Sequence, residues 1–135
     1  MVKVALLFQG EKDFYISKKV LKAIITDYTS IDRDTGKEVN IVLKEVRDLS
    51  LRGFPKNNPR IRSEGKGKAK TKGAYRVWVN GNLRIAGFYE DKKFIGIDYY
   101  IKKSQHNTKK QVKALEKVAK IKRNKDWIIV DRDKL

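Results

Sequence analysis

At 135 residues, with 40% hydrophobic and 10% aromatic side chains, the chain has room for one folded domain and too little for two ordinary ones. Its formal net charge of +17 sits between Arg52 and Lys125, where twenty-two basic residues face five acidic ones, so nucleic acid is the first partner to expect, ahead of an anionic membrane or an acidic protein. It has no cysteine, which excludes disulfides, thiolate metal sites and cysteine nucleophiles and suits a reducing, cytoplasmic setting.

Val2, Val4, Leu6 and Phe8 alternate with Lys3, Ala5 and Leu7 and predict a first strand ended by Gly10. From Asp13 the pattern changes. Leu21, Ile24, Ile25 and Tyr28 fall on one face of a helix. After the polar loop 30–36, Thr35 and Glu38 form a capping-box signature, and Val39, Val42, Val46 and Leu49 give a second apolar stripe running to Gly53 and Pro55. Two helices joined by a short turn predict an antiparallel hairpin.

Residues 54–73 are dominated by punctuation and charge, with Pro55, Pro59, Gly65, Gly67 and Gly73 among Arg60, Arg62, Lys66, Lys68, Lys70 and Lys72. They predict a mobile basic loop that contributes affinity for RNA rather than chemistry. Residues 74–103 predict a three-stranded antiparallel meander with turns at Asn80-Gly81 and Glu90 to Lys93. A two-residue first turn sets Arg76 and Arg84 on opposite faces. A three-residue loop, Asn80 to Asn82, pairs Val79 with Leu83, so that Val77, Val79, Leu83 and Ile85 share one face and Arg76, Trp78 and Arg84 the other. The second register segregates apolar from basic residues and is the one expected. In the third strand Ile95, Ile97, Tyr99 and Ile101 are expected on the core face, with Asp98, Tyr100 and Lys102 on the charged one and Lys103 at the strand's end. Thr108 and Gln111 form another capping box. Behind it Val112, Leu115, Val118, Ala119 and Ile121 make the apolar face of a basic helix whose lysines include Lys109 and Lys110. Trp127 to Val130 is a short apolar run that can either add an edge strand or dock on the core.

The expected fold is therefore α+β, a largely antiparallel sheet with the helical hairpin on one face and a charged cleft on the other. Arg76, Arg84 and Lys102 beside Trp78 and Tyr100 combine phosphate ligands with stacking surfaces. RNA cleavage without a metal needs a base for the 2′-hydroxyl, cations for the phosphorane and an acid for the leaving oxygen. Asp98, or a lysine depressed in pKa by its neighbours, is a candidate base and a nearby lysine a candidate acid. A basic sheet that only binds nucleic acid fits the same pattern. The lone histidine, His106, falls in a loop where such residues are more often merely solvated, and no ligand-spaced cluster suggests a metal. No cofactor, small-molecule ligand or membrane segment is expected.

The element order, together with Tyr75-Arg76-Val77, Leu83-Arg84-Ile85, Tyr100-Ile101-Lys102-Lys103-Ser104 and Thr108, resembles the RelE/ParE toxin superfamily, nearest its phage-type, HigB-like branch. The resemblance is strongest over residues 74–123 and only topological before them. It implies a single toxin domain over residues 1–135 that cleaves mRNA on the ribosome and is held inactive by a cognate antitoxin. Arg76 and Arg84 would then lie on the phosphate, and Lys102 or Lys103 would close the last strand. Asp98 stands where that branch commonly has histidine, and Tyr99-Tyr100 replaces its Gly-Phe pair, which leaves the proton-transfer residues open. ParE-like members of the same superfamily poison DNA gyrase and need no nuclease site.

Overall fold

In a computed structural model the residues described are 1–24, 61–63, 69–80, 83–101 and 109–135, with the backbone alone for 61–63, 69 and 77–80. Val2–Phe8 forms β1 and Asp13–Ser17 forms β2, an antiparallel pair in which Val4 faces Ser17 and Leu6 faces Tyr15. The helix expected from Asp13 therefore starts later. Phe14, Tyr15 and Ile16 are aromatic or β-branched residues that suit a strand, and Asp13 Oδ1 accepts from the Gly10 N–H at 3.3 Å in the turn before it. Helix α1, Lys18–Lys22, begins where the Ser17 hydroxyl accepts from the Val20 N–H at 3.3 Å. The expected second helix, over residues 35–53, lies outside the described residues.

The predicted basic loop is shorter than expected, because Ile61–Ser63 is a strand, β3, and Ala69–Thr71 a 3-10 turn. The meander follows as β4, Tyr75–Asn80, β5, Leu83–Glu90, and β6, Lys93–Ile101. Helix α2, Lys109–Asn124, then leads to β7, Trp127–Ile129, and a final 3-10 turn, Arg132–Lys134. The strands make one mixed sheet in the order β3-β4-β5-β6-β2-β1-β7, parallel at β2–β6 and β1–β7 and antiparallel elsewhere. The chain is thus a mixed α+β fold. β7 takes the edge position, one of the two places open to Trp127 to Val130, fastened by Val130 N–H to the Val4 carbonyl at 2.9 Å and by Arg132 to the Leu6 and Leu7 carbonyls.

In β4 and β5, Arg76 faces Ala86, Val77 faces Ile85 and Trp78 faces Arg84, the register that places both arginines on one face. At the turn itself Asn80, not Val79, faces Leu83, and a bulge takes up the extra residue. A second bulge lies between β5 and β6: Ala86 faces Asp98 but Gly87 faces Gly96, which leaves Ile97 as the extra residue. That bulge reverses the expected facing of β6. Ile95 and Ile97 pack with Ala86, Phe88 and Tyr100, whereas Tyr99 and Ile101 remain with Leu83 and Ile85.

Each face of the sheet has its own core. On one, Val20 and Ile24 cover Phe14, Ile16, Leu83, Ile85 and Phe94. On the other, Ala114, Leu115, Val118, Ala119 and Ile121 of α2 cover Val4, Ala86, Phe88, Ile95, Ile97 and Tyr100. The second face is therefore not the open charged cleft predicted. The small residues Ala86, Ala114 and Ala119 let α2 settle closely on the sheet. Among the described residues no helix is long and apolar enough to cross a membrane.

Candidate nucleic-acid interface

Strand register alone aligns the arginines. Arg62 stands opposite Arg76, Arg76 opposite Ala86 and Ala86 opposite Asp98, one row across four strands; two residues along, Trp78, Arg84 and Tyr100 make the next. Directly paired residues share a face, as do residues two apart on a strand, so all seven positions belong to the face that carries α2.

The two rows differ in access. Arg76 and Arg84 are half-buried, and Arg84 Nη1 donates to the Leu83 carbonyl at 3.2 Å. Tyr100 and Asp98 lie inside, 3% and 5% exposed. The Asp98 carboxylate is ringed by donors, with the Tyr99 N–H at 2.8 Å and Lys19 Nζ at 2.8 Å on Oδ1 and Lys117 Nζ at 3.6 Å on Oδ2. Those donors come from β6, α1 and α2, so this carboxylate ties the two helices to the strand between them. Such a placement makes Asp98 a structural anchor and takes it away from the solvent face, where a base for an RNA hydroxyl has to stand.

Helix α2 carries accessible charge beside these rows. Lys109, Lys110, Lys113, Lys117 and Lys120 are exposed, while Ala114, Leu115, Val118, Ala119 and Ile121 face the sheet. At 1.5 Å per residue this stripe runs roughly 16 Å. Its one acid, Glu116, is half-buried and lies three residues after Lys113 and four before Lys120, on the same side of the helix as those lysines. The 3-10 turn at Ala69–Thr71 packs against the same helix and adds the exposed Lys70 and Lys72. Gly73, at φ +87°, turns the chain there, and a Cβ in its place would sit 3.2 Å from Lys122 Cδ.

The sequence-predicted residues thus divide. Lys109, Lys110, Lys70 and Lys72 join one basic surface; Arg76 and Arg84 stand together beside it; Asp98 and Tyr100 are interior. Arg62 and Trp78 are placed by register alone, and Arg60, Lys66, Lys68, Lys102, Lys103 and His106 lie outside the described residues. Lys19 and Lys117 as partners of Asp98 had no sequence signal, because they are 98 residues apart and meet only through the fold. Among the described residues no group of three His, Cys, Asp or Glu side chains is placed to hold a metal. No protein-family model matches this chain, and no curated protein sequence matches it.

Proposed function

We propose that this protein binds the phosphate backbone of nucleic acid, with the outer face of α2 as its principal contact and Lys70, Lys72, Arg76 and Arg84 extending it. The carrying observation is the cationic outer face of α2, where five exposed lysines recur about once per turn around one half-buried acid, Glu116. Lysines at i, i+4 spacing repel one another, and two lysines with no acid in the first turn oppose the helix dipole. Both costs fall when phosphates bind. Flexible ammonium groups neutralise phosphates without reading bases, so binding is expected to be weakly sequence-selective and strongly salt-dependent. The test is titration of a fluorescent single-stranded RNA across a salt series. Changing Lys109, Lys113 and Lys120 to Gln together should flatten the slope of log affinity against log salt by about 2, given about 0.7 per phosphate neutralised. An unchanged slope would place the contact elsewhere.

A second reading follows from the arginine rows. Arg76 and Arg84 on one face, with Tyr100 across from Arg84, fit the RelE-like resemblance and hence a ribosome-dependent mRNA endonuclease restrained by an antitoxin. On this reading the base is not Asp98, and the arginines stabilise charge that develops on the phosphate. Arg84→Ala should then abolish growth arrest on expression, with a rate loss of about 100-fold or more in ribosome-bound message cleavage and a retained unfolding temperature. A chain that binds RNA and never arrests growth is a binding protein only.

A further inference from the structure

Where β2 ends by turning into α1, the first residues of β1 and the second half of β6 lose the strand between them. A cleft of about 390 Å³ opens at that split. Its walls carry Lys3 from β1, Lys18 and Lys19 from α1, Lys117 from α2 and Lys134 from the last 3-10 turn, all exposed. Lys19 and Lys117 are steadied from below by Asp98, at 2.8 and 3.6 Å. No Asp or Glu is among the described residues that line the cleft, while the Met1 ammonium turns to Asp126 at 3.6 Å.

Five ammonium groups against the one carboxylate beneath them, Asp98, leave an excess that a single phosphodiester does not neutralise. A chain of phosphates does. Lysines are compact donors without a planar fork, so they select for charge density more than for the geometry of one oxyanion. The volume is at the small end of ligand sites and suits a phosphate chain better than a large apolar group. We infer that this cleft binds a clustered phosphate group, the triphosphate of a nucleoside triphosphate or of a 5′-triphosphorylated RNA end. The site goes beyond the backbone contact of α2 and uses other lysines, Lys117 alone being shared.

The experiment measures, at constant ionic strength, binding of inorganic triphosphate, inorganic phosphate, a nucleoside triphosphate and one RNA bearing either a 5′-triphosphate or a 5′-hydroxyl. The proteins are the unmodified chain, the variant Lys3→Gln/Lys18→Gln/Lys134→Gln, and the α2 variant Lys109→Gln/Lys113→Gln/Lys120→Gln, each checked by thermal unfolding. None of the substituted residues pairs with Asp98, and all are exposed. The expected result is that triphosphate binds well above phosphate and weakens by about tenfold or more in the cleft variant, while 5′-hydroxyl RNA weakens mainly in the α2 variant. A nucleotide as tight as the RNA end marks free nucleotide as the ligand; preference for the triphosphorylated RNA marks the end. Triphosphate binding that is unchanged in the cleft variant, or weakened equally in both variants, overturns the site and leaves only diffuse charge. 5′-hydroxyl RNA binding that is unchanged in the α2 variant, with triphosphate binding lost in the cleft variant, would instead sink the α2 reading and keep the cleft.

Discussion

The Ser17 hydroxyl serves two elements at once. It accepts from the Val20 N–H to start α1 and donates to the Ile97 carbonyl at 2.7 Å, the residue pushed out by the β6 bulge. Ser17→Ala removes both bonds at a buried position, and equilibrium denaturation should show a loss of roughly 2 kcal/mol. Gly87 is constrained as tightly. A Cβ there would lie 2.2 Å from the Ile95 carbonyl oxygen and 2.7 Å from the Phe94 ring, so Gly87→Ala must open the strand pair. A loss of at least about 3 kcal/mol is expected in the same denaturation measurement. Tyr89 contributes a pH dependence. Its ring meets Tyr75 at 4.8 Å and Phe94 at 5.3 Å, and burial, then the neighbouring Tyr75, push its phenol well above the ordinary value of 10.0. The folded chain therefore keeps a proton that the unfolded chain releases, so this contribution is complete below pH 10 and declines above it. Stability measured against pH should fall less steeply above pH 10 for Tyr89→Phe than for the unmodified chain.

Among the elements, local pattern and tertiary pairing carried different information. β1, the meander and the apolar stripe of α2 are legible because alternation and helical periodicity follow from residue order alone. The start of α1 was misread because Phe14-Tyr15-Ile16 is too short a run to establish a period, and its strand state depends on pairing with both β1 and β6. The facing of Ile95 and Ile97 was unreadable for a similar reason: one bulge residue inverts a two-residue alternation. Arg76 and Arg84 were found through the segregation of apolar from charged residues across a turn. The cleft lysines were not, since they come from separate segments of the chain. Helix α2 offers an element-scale test at its end. Lys125 has φ 49°, with Asp126 N–H reaching the Ile121 carbonyl at 3.1 Å in a Schellman turn. Lys125→Gly relieves a left-handed side chain there and should raise stability by about 0.5 kcal/mol in thermal or denaturant unfolding.

For the whole molecule, the sheet carries a core on each face. The α1 face is closed by apolar packing around Phe14, Phe94 and Leu83, whereas the α2 side turns a lysine surface outward, and Asp98 is held in a clamp between the two helices. Asp98→Asn keeps the acceptor for the Tyr99 N–H and loses the ion pairs. It should lower stability by about 1–2 kcal/mol while leaving RNA affinity nearly unchanged, which a titration and an unfolding curve on one preparation would show. The most direct measurement of the central claim is lysine footprinting with an amine-reactive reagent, with and without saturating single-stranded RNA. Protection is predicted at Lys109, Lys113, Lys117 and Lys120 and at Lys70 and Lys72, with Lys12 and Lys92 at the far turns reacting as before. Protection of Lys12 and Lys92 with continued reaction along α2 would contradict the account.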